Sequence, residues 1–488
     1  MTSAEEPRIG ASPPEGRWDA IDWQTIEEQV LRLQMRIAKA TREGRWGKVK
    51  SLQWLLTHSF ATKLLAVRRV TQNAGRNTAG VDGVVWKTAA QKHEAARSLQ
   101  RRDYQTLPLR RIYIPKKNGR LRPLGIPAMS CRAMQALHLQ ALEPVAETLA
   151  DPNSYGFRPK RSTADAREQC FAALCRRKSA QWVFEGDIRA CFDRLDHTWL
   201  RDHIPMDKLI LGKWLAAGYM EKGIVFPTTA GSPQGGIASP VLANMALDGL
   251  EAAAHKAAPR NQKINVVRYA DDFVITGASK EVLETRIKPA VVSFLKERGL
   301  ELSEEKTRIT HIEDGFDFLG FNVRKYGGKL LIKASKASVK RVLGDIRVLI
   351  KSLSTGKTAE LIRQLNIKLS GWANYYRHSV AKRTFNYVDA QVFRALWAWT
   401  KRRHPNKSVL WRKDRYFRRL GLRSWVFFAR VRDEFGQISC LDLFSVASLA
   451  IVRHVKVQAN ATPYDPAYAD YFADRALGRR RARSGAKV

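Results

Sequence analysis

The stretch "VVRYADDFVITG", residues 266–277, constrains this chain more than any other. Val266, Val267 and Tyr269 on one side and Phe273, Val274 and Ile275 on the other are β-formers. The segment therefore reads as two strands meeting at a bend near Ala270-Asp271-Asp272. A bend of this composition is readable as a plain solvated aspartate turn. Its apolar flanks favour another reading, because adjacent carboxylates repel, are costly to desolvate, and are best stabilised by a bound cation. Mg²⁺ is normally held by a few protein oxygens together with substrate phosphates, so a third carboxylate nearby would complete a site. "QWVFEGDIRACFD" reads as a buried strand ending near Asp187, which supplies that carboxylate if the two strands are neighbours. Three such groups can hold two metal ions about 4 Å apart, an arrangement that clamps the attacking and leaving oxygens of an in-line phosphoryl displacement.

The charge balance points the same way. The 488 residues carry 85 Lys+Arg against 46 Asp+Glu, a net charge of +39. Self-repulsion on that scale opposes compaction unless a polyanion supplies counter-charge, which makes nucleic acid the expected partner ahead of an anionic membrane. With 44% hydrophobic residues the chain can build two to four packed units. No run of eighteen apolar residues occurs, and the polar, acidic, proline-containing start is unlike a signal peptide. A soluble intracellular protein is expected. The five cysteines include no CxxC pair and the ten histidines no HxxxH pair, so neither a disulfide framework nor a zinc site is indicated.

Organisation is readable along the chain. Thr25 and Glu28 have capping-box spacing ahead of Ile26, Val30, Leu33 and Ile37, which recur at helical spacing. "VKSLQWLLTHSFATKLLAVRRV" predicts a second helix, and "NAGRNTAGVDG" a glycine-rich loop. "LRRIYIPKKNGRLRPLGIP" predicts a cationic hairpin turning at Asn118-Gly119, and "GFDFLGFNVRKYGGKLLI" another turning at Gly327-Gly328. Ser162 and Asp165 form a further capping-box pattern before "ADAREQCFAALCRR". From about residue 336 the pattern becomes helical and strongly basic, and a domain boundary is expected there. Between residues 401 and 430, eleven Lys/Arg and one Asp are interleaved with Trp411, Tyr416, Phe417, Trp425, Phe427 and Phe428. Such cations can track phosphates while some of the rings stack on bases and about half of them form core.

The tetrapeptide Tyr269-Ala270-Asp271-Asp272 resembles the YxDD motif of reverse transcriptases, in the YADD form typical of group II intron reverse transcriptase/maturases. Other blocks match in the family's order. "NAGRNTAGVDG" resembles its N-terminal block, "IYIPKKNGRLRPLGIPAMSCRAMQALHLQALEP" the fingers block, and "SYGFRPKRSTADA" the block that follows. "GDIRACFDRLDH" resembles the first catalytic block and "GSPQGGIASPVLANMALD" the block lining the nucleotide pocket and template. "GLELSEEKTRI" and "FDFLGF" resemble the later palm blocks, and "LSGWANYYRH" the maturase or thumb region.

The resemblance implies an α+β fold: a right-hand polymerase with fingers and palm, then a helical thumb (maturase domain X) and a small basic DNA-binding region. The corresponding divisions are an N-terminal helical extension at 1–60, fingers and palm at 61–335, thumb at 336–418, DNA-binding region at 419–475 and basic tail at 476–488. Asp187, Asp271 and Asp272 match the catalytic, metal-binding carboxylates of a two-Mg²⁺ site that takes dNTPs. Phe192 matches the ring that leaves no room for a 2′-hydroxyl, with an ordinary core phenylalanine as the other reading. Gln234 and Gly235 match positions touching the nucleotide, while Lys116 and Arg122 match cations that grip its triphosphate, with Lys117 and Arg120 as competitors. Lys306 is readable as a general acid towards pyrophosphate or as a solvated helix lysine. Trp372, Asn374, Tyr375, Arg377, Arg412, Lys413 and Arg415 are the candidate RNA- and DNA-binding residues.

The implied function is an RNA-directed DNA polymerase that copies group II intron RNA during retrohoming and a maturase that helps the same RNA splice. Target DNA and its primer would be further partners, in a bacterial, nucleoid-associated setting. Many relatives continue into an HNH endonuclease with paired cysteines and histidines. One cysteine and one histidine follow residue 404 here, so that domain is expected to be absent. The rival readings are a maturase or domesticated relative acting mainly by RNA binding or in host defence. The intact carboxylates argue against a binding-only role.

Overall fold

The structure, a computed structural model, describes residues 18–115, 119, 121–231, 235–432 and 434–484, with side chains described as far as residue 478. The described chain divides into two units. The first comprises residues up to Ser162, Phe184–Ile309 and Val457–Asp474, and the second Thr163–Val183, Thr310–Lys456 and the residues from Arg475 onward.

In the first unit, helices Trp23–Arg42, Trp46–His58 and Phe60–Gln72 pack with the long helix Met129–Leu149. The predicted stripe Ile26, Val30, Leu33 and Ile37 is buried, and all but Ile26 join a core with Leu52, Leu56, Ala141 and Val145. The first helix starts earlier than the Thr25/Glu28 pattern implies. Asp22 caps it, accepting from the backbone N–H groups of Gln24 at 3.1 Å and Thr25 at 3.3 Å. The second predicted helix is two, because Ser59 adopts extended backbone (ψ 130°) and breaks it.

The strands are β1 (Leu109–Pro115), β2 (Leu121–Ile126), β3 (Trp182–Asp187), β4 (Tyr219–Glu221), β5 (Ile224–Phe226), β6 (Asn265–Tyr269), β7 (Asp272–Gly277) and β8 (Arg308–His311). One sheet has the order β2-β1-β4-β5 and another β6-β7-β3-β8. β1 and β2 form the expected cationic hairpin, with Pro115 opposite Leu121. Its turn residue Asn118 lies outside the described residues.

In the second unit, β9 (Phe316–Phe318), β10 (Phe321–Tyr326) and β11 (Lys329–Ala334) form a sheet that turns at Gly327-Gly328 as expected. Both glycines have positive φ (53° and 79°), the geometry a tight two-residue hairpin turn requires. Helices Lys336–Ser352, Thr358–Tyr376 and Lys382–Arg403 follow, then β12 (Phe417–Leu420), β13 (Arg423–Arg432) and β14 (Ile438–Asp442). Helix Thr163–Leu174 belongs to this unit. The Asp165 carboxylate, fully buried, accepts from His454 Nε2 at 2.8 Å and Arg475 Nη2 at 2.6 Å. No helix among the described residues is long and apolar enough to cross a membrane.

Candidate active site

β6 and β7 pair antiparallel with Val267 opposite Val274 and Tyr269 opposite Asp272, so Ala270-Asp271 is the whole turn. Ala270 takes a left-handed backbone (φ 58°) to close it. β3 lies beside β7 and ends on Asp187, which brings the third carboxylate to the same end of the sheet. The approach depends on Gly186, where a Cβ would lie 2.8 Å from Phe273 Cε1 and closer still to Cζ. The rings of Phe184 and Phe273 then pack at 6.1 Å beneath the carboxylates.

The three carboxylates act on one another electrostatically. Asp272 is pushed up to about 7, by burial among protein atoms first, then by the charges of Asp271 and Asp187 and a hydrogen bond with Asp187. Its side chain keeps an open face to solvent. Asp271 is raised by burial and by Asp187, against the opposing charges of Arg122 and Lys306. Lys306 Nζ donates to Asp187 Oδ2 at 2.8 Å, and that bond raises the lysine. Lys306 sits in a turn rather than on a helix. An all-oxygen donor set with this much unbalanced negative charge fits a hard divalent cation. Among the described residues, no three His, Cys, Asp or Glu side chains stand in closed metal-ligating geometry, and Asp187 spends one oxygen on Lys306.

Around the carboxylates, Arg122 projects from β2 as an exposed side chain whose charge reaches Asp271. Phe192, on the short helix Cys191–Arg194, is half-buried and meets Phe157 edge-on at 6.4 Å. Gly235 has φ 111°, and a Cβ there would lie 2.5 Å from the Gly125 carbonyl oxygen, so the loop touches the fingers hairpin only because residue 235 has no side chain. Lys116, Lys117, Arg120 and Gln234 lie outside the described residues.

Sequence reading missed the layer beneath the turn. Arg268 in β6 is 1% exposed, and its guanidinium donates to Asn244 Oδ1 at 3.1 Å and to Asp248. Asn244 Nδ2 donates in turn to the Gly156 carbonyl at 2.7 Å, and Gly156 is pressed against the backbone of Tyr269 and Ala270. A lone arginine in an apolar strand was the available signal, since a buried guanidinium needs an acid somewhere.

In the second unit, Trp372 Nε1–H donates to Ser338 Oγ at 3.4 Å, and Tyr375 donates to the Leu319 carbonyl at 2.8 Å while stacking on Phe321. Asn374 is exposed; Arg377 is 6% exposed and reaches Asn374 at 3.3 Å. Arg412 is equally buried, over the Trp397 ring at 4.7 Å. Lys413 sits over Trp425, and Arg415 is exposed. Of the interleaved aromatics, Tyr416, Phe417, Phe427 and Phe428 are core, and Trp411 and Trp425 reach the surface.

A carboxylate turn beside a third carboxylate strand is the arrangement that a palm-type nucleotidyl-transferring polymerase site uses. Residues 114–323 match the reverse transcriptase (RNA-dependent DNA polymerase) family, 18–99 the N-terminal domain of reverse transcriptase, and 339–417 the group II intron maturase-specific domain. Protein YkfC of Escherichia coli is 34% identical over 327 residues, covering 58% of this chain and 83% of YkfC. The group II intron-encoded protein LtrA of Lactococcus lactis subsp. cremoris is 31% identical over 360 residues, 59% of each chain. A 91 kDa protein in the cob intron of Schizosaccharomyces pombe is 26% identical over 397 residues, 64% of this chain and 49% of that one. The chain belongs to the group II intron reverse transcriptase/maturase family. It is an RNA-directed DNA polymerase, dependent on a divalent metal and using nucleotide substrates.

Proposed function

We propose that the chain copies the RNA of a group II intron into DNA, extending a primer supplied by the target DNA, and that its maturase region holds the same RNA while it splices. The observation that carries this is the convergence of Asp187, Asp271 and Asp272 at one end of one sheet, with Lys306 and Arg122 as the cations felt there. Asp187, Asp271 and Asp272 are the residues that would hold two Mg²⁺ ions, which when bound would supply stabilisation of the negative charge that develops on the attacking and leaving oxygens. By the resemblance, Lys116 and Arg122 would grip the triphosphate, Gln234 and Gly235 would touch the nucleotide, and Phe192 would leave no room for a 2′-hydroxyl. Lys306, whose Nζ donates to Asp187 Oδ2 at 2.8 Å, would pass a proton to pyrophosphate.

In this reading residues 61–335 are fingers and palm and 336–418 the thumb. Residues 419–475 meet target DNA in a bacterial cytoplasm, close to the nucleoid. The exposed cations and rings of the second unit supply binding energy to structured RNA, and the RNA supplies the splicing chemistry. The test is to incubate group II intron precursor RNA with the parent and with Asp271→Ala. Equal stimulation of splicing, with cDNA made only by the parent, is the expected result. Splicing and copying lost together would overturn the division of labour.

A further inference from the structure

We propose that Phe157 is a specificity-determining residue of the nucleotide site, forming with Phe192 a two-ring wall against which the sugar of the incoming nucleotide packs. The inference rests on Phe192 lining that site. Three observations converge on Phe157. It is 52% exposed, yet it sits between the buried residues Gly156 and Arg158. Its backbone is left-handed (φ 58°), a conformation unfavourable for a bulky side chain and typically retained where neighbouring structure enforces it at a functional site. Its ring meets Phe192 edge-on at 6.4 Å, with 71° between the planes.

The enforcement is visible on both sides. Arg158, buried, is bidentate to Glu147 at 2.8 and 2.9 Å and donates to the Asp151 and Ser154 carbonyls at 2.8 and 3.0 Å. The Tyr155 N–H donates to the Arg268 carbonyl at 2.9 Å, and the Gly156 carbonyl accepts from Asn244. Each neighbour is thus tied inward, and Gly156 rests on the catalytic turn itself. Phe157 is left pointing outward, one residue from that turn and against the Phe192 ring. A core role does not suit a ring with half its surface in water. A rigid apolar wall does, because it narrows the space on the sugar without adding a polar partner that a ribose hydroxyl could use.

The test uses Phe157→Gly, Phe157→Trp and Phe192→Val in the full chain, with single-nucleotide incorporation of dNTP and rNTP, primer–template affinity and thermal melting. Glycine suits a positive φ, so Phe157→Gly should melt no lower than the parent. It should still raise the KM for dNTP about tenfold and lower discrimination against rNTP by a similar factor, with kcat changed less. Phe157→Trp should restore most of both. Unchanged KM and discrimination in Phe157→Gly, alongside altered values in Phe192→Val, would overturn the proposal and leave the nucleotide site standing. Unchanged values in both variants would overturn the assignment of that wall altogether. Weakened primer–template binding with unchanged nucleotide parameters would make Phe157 a template contact and would likewise overturn it.

Discussion

Replacing Gly156 by alanine should damage catalysis far more than folding. A Cβ at residue 156 would lie 2.8 Å from the Tyr269 carbonyl carbon, closer still to the Ala270 nitrogen, and 3.1 Å from the Ala270 Cα. Ordinary contact begins near 3.4 Å, so the carbonyl carbon alone is roughly 0.6 Å too close. All three atoms are backbone, with no side-chain end to swing aside. The segment holding Gly156 is tied through Asn244 and Arg158, so the turn carrying Asp271 and Asp272 must yield by about 1 Å. A displacement of that size at reacting groups costs about 100-fold in rate, equivalent to about 2.7 kcal/mol of transition-state stabilisation. Overpacking should cost about 1–3 kcal/mol of stability, which leaves a chain of this size folded. Primer extension on an RNA template, with melting as the control, reads both quantities. A Gly156→Ala protein with kcat within threefold of the parent would refute the steric argument.

Asn244→Ala leaves a buried carbonyl and one arm of Arg268 without a partner, and should lower stability by about 2–3 kcal/mol, read by denaturant melts. Burial holds His138 down to about 4, against 6.5 for the free side chain, so the unfolded chain binds the extra proton between those values. Stability should therefore fall by about 3 kcal/mol as pH drops from 6.5 to 4, and His138→Gln should flatten that part of the profile. Arg412→Ala should cost stability through lost packing on Trp397, whereas Arg415→Ala should leave melting unchanged and weaken RNA binding with a shallower salt dependence. Filter binding across a salt series separates the two.

What was legible in the sequence followed local chemistry. The turn at Ala270-Asp271 and the hairpin at Gly327-Gly328 are set by residues adjacent in the chain, and strand and turn preferences capture such features. The break at Ser59 carries no proline or glycine, so helical periodicity runs straight through it. The support beneath the active site was invisible for a different reason. The bonds that join Gly156, Asn244, Asp248 and Arg268 span 20 to 88 positions of chain, and no local pattern records who satisfies whom. Charge counting also overlooks burial: Arg377 and Arg412 add to the cationic total, yet both are buried.

The central claim is that Asp187, Asp271 and Asp272 form the polymerase site of a protein that also binds intron RNA. The most direct measurement is single-turnover dNTP incorporation on an RNA template in Mg²⁺, run beside intron RNA affinity, for the parent and the Asp187→Ala, Asp271→Ala and Asp272→Ala variants. The account predicts incorporation by the parent, a loss of at least about 10³-fold in every variant, and RNA affinity unchanged or slightly tighter as negative charge is removed. An inactive parent that still binds intron RNA tightly, or variants that extend the primer as the parent does, would contradict it.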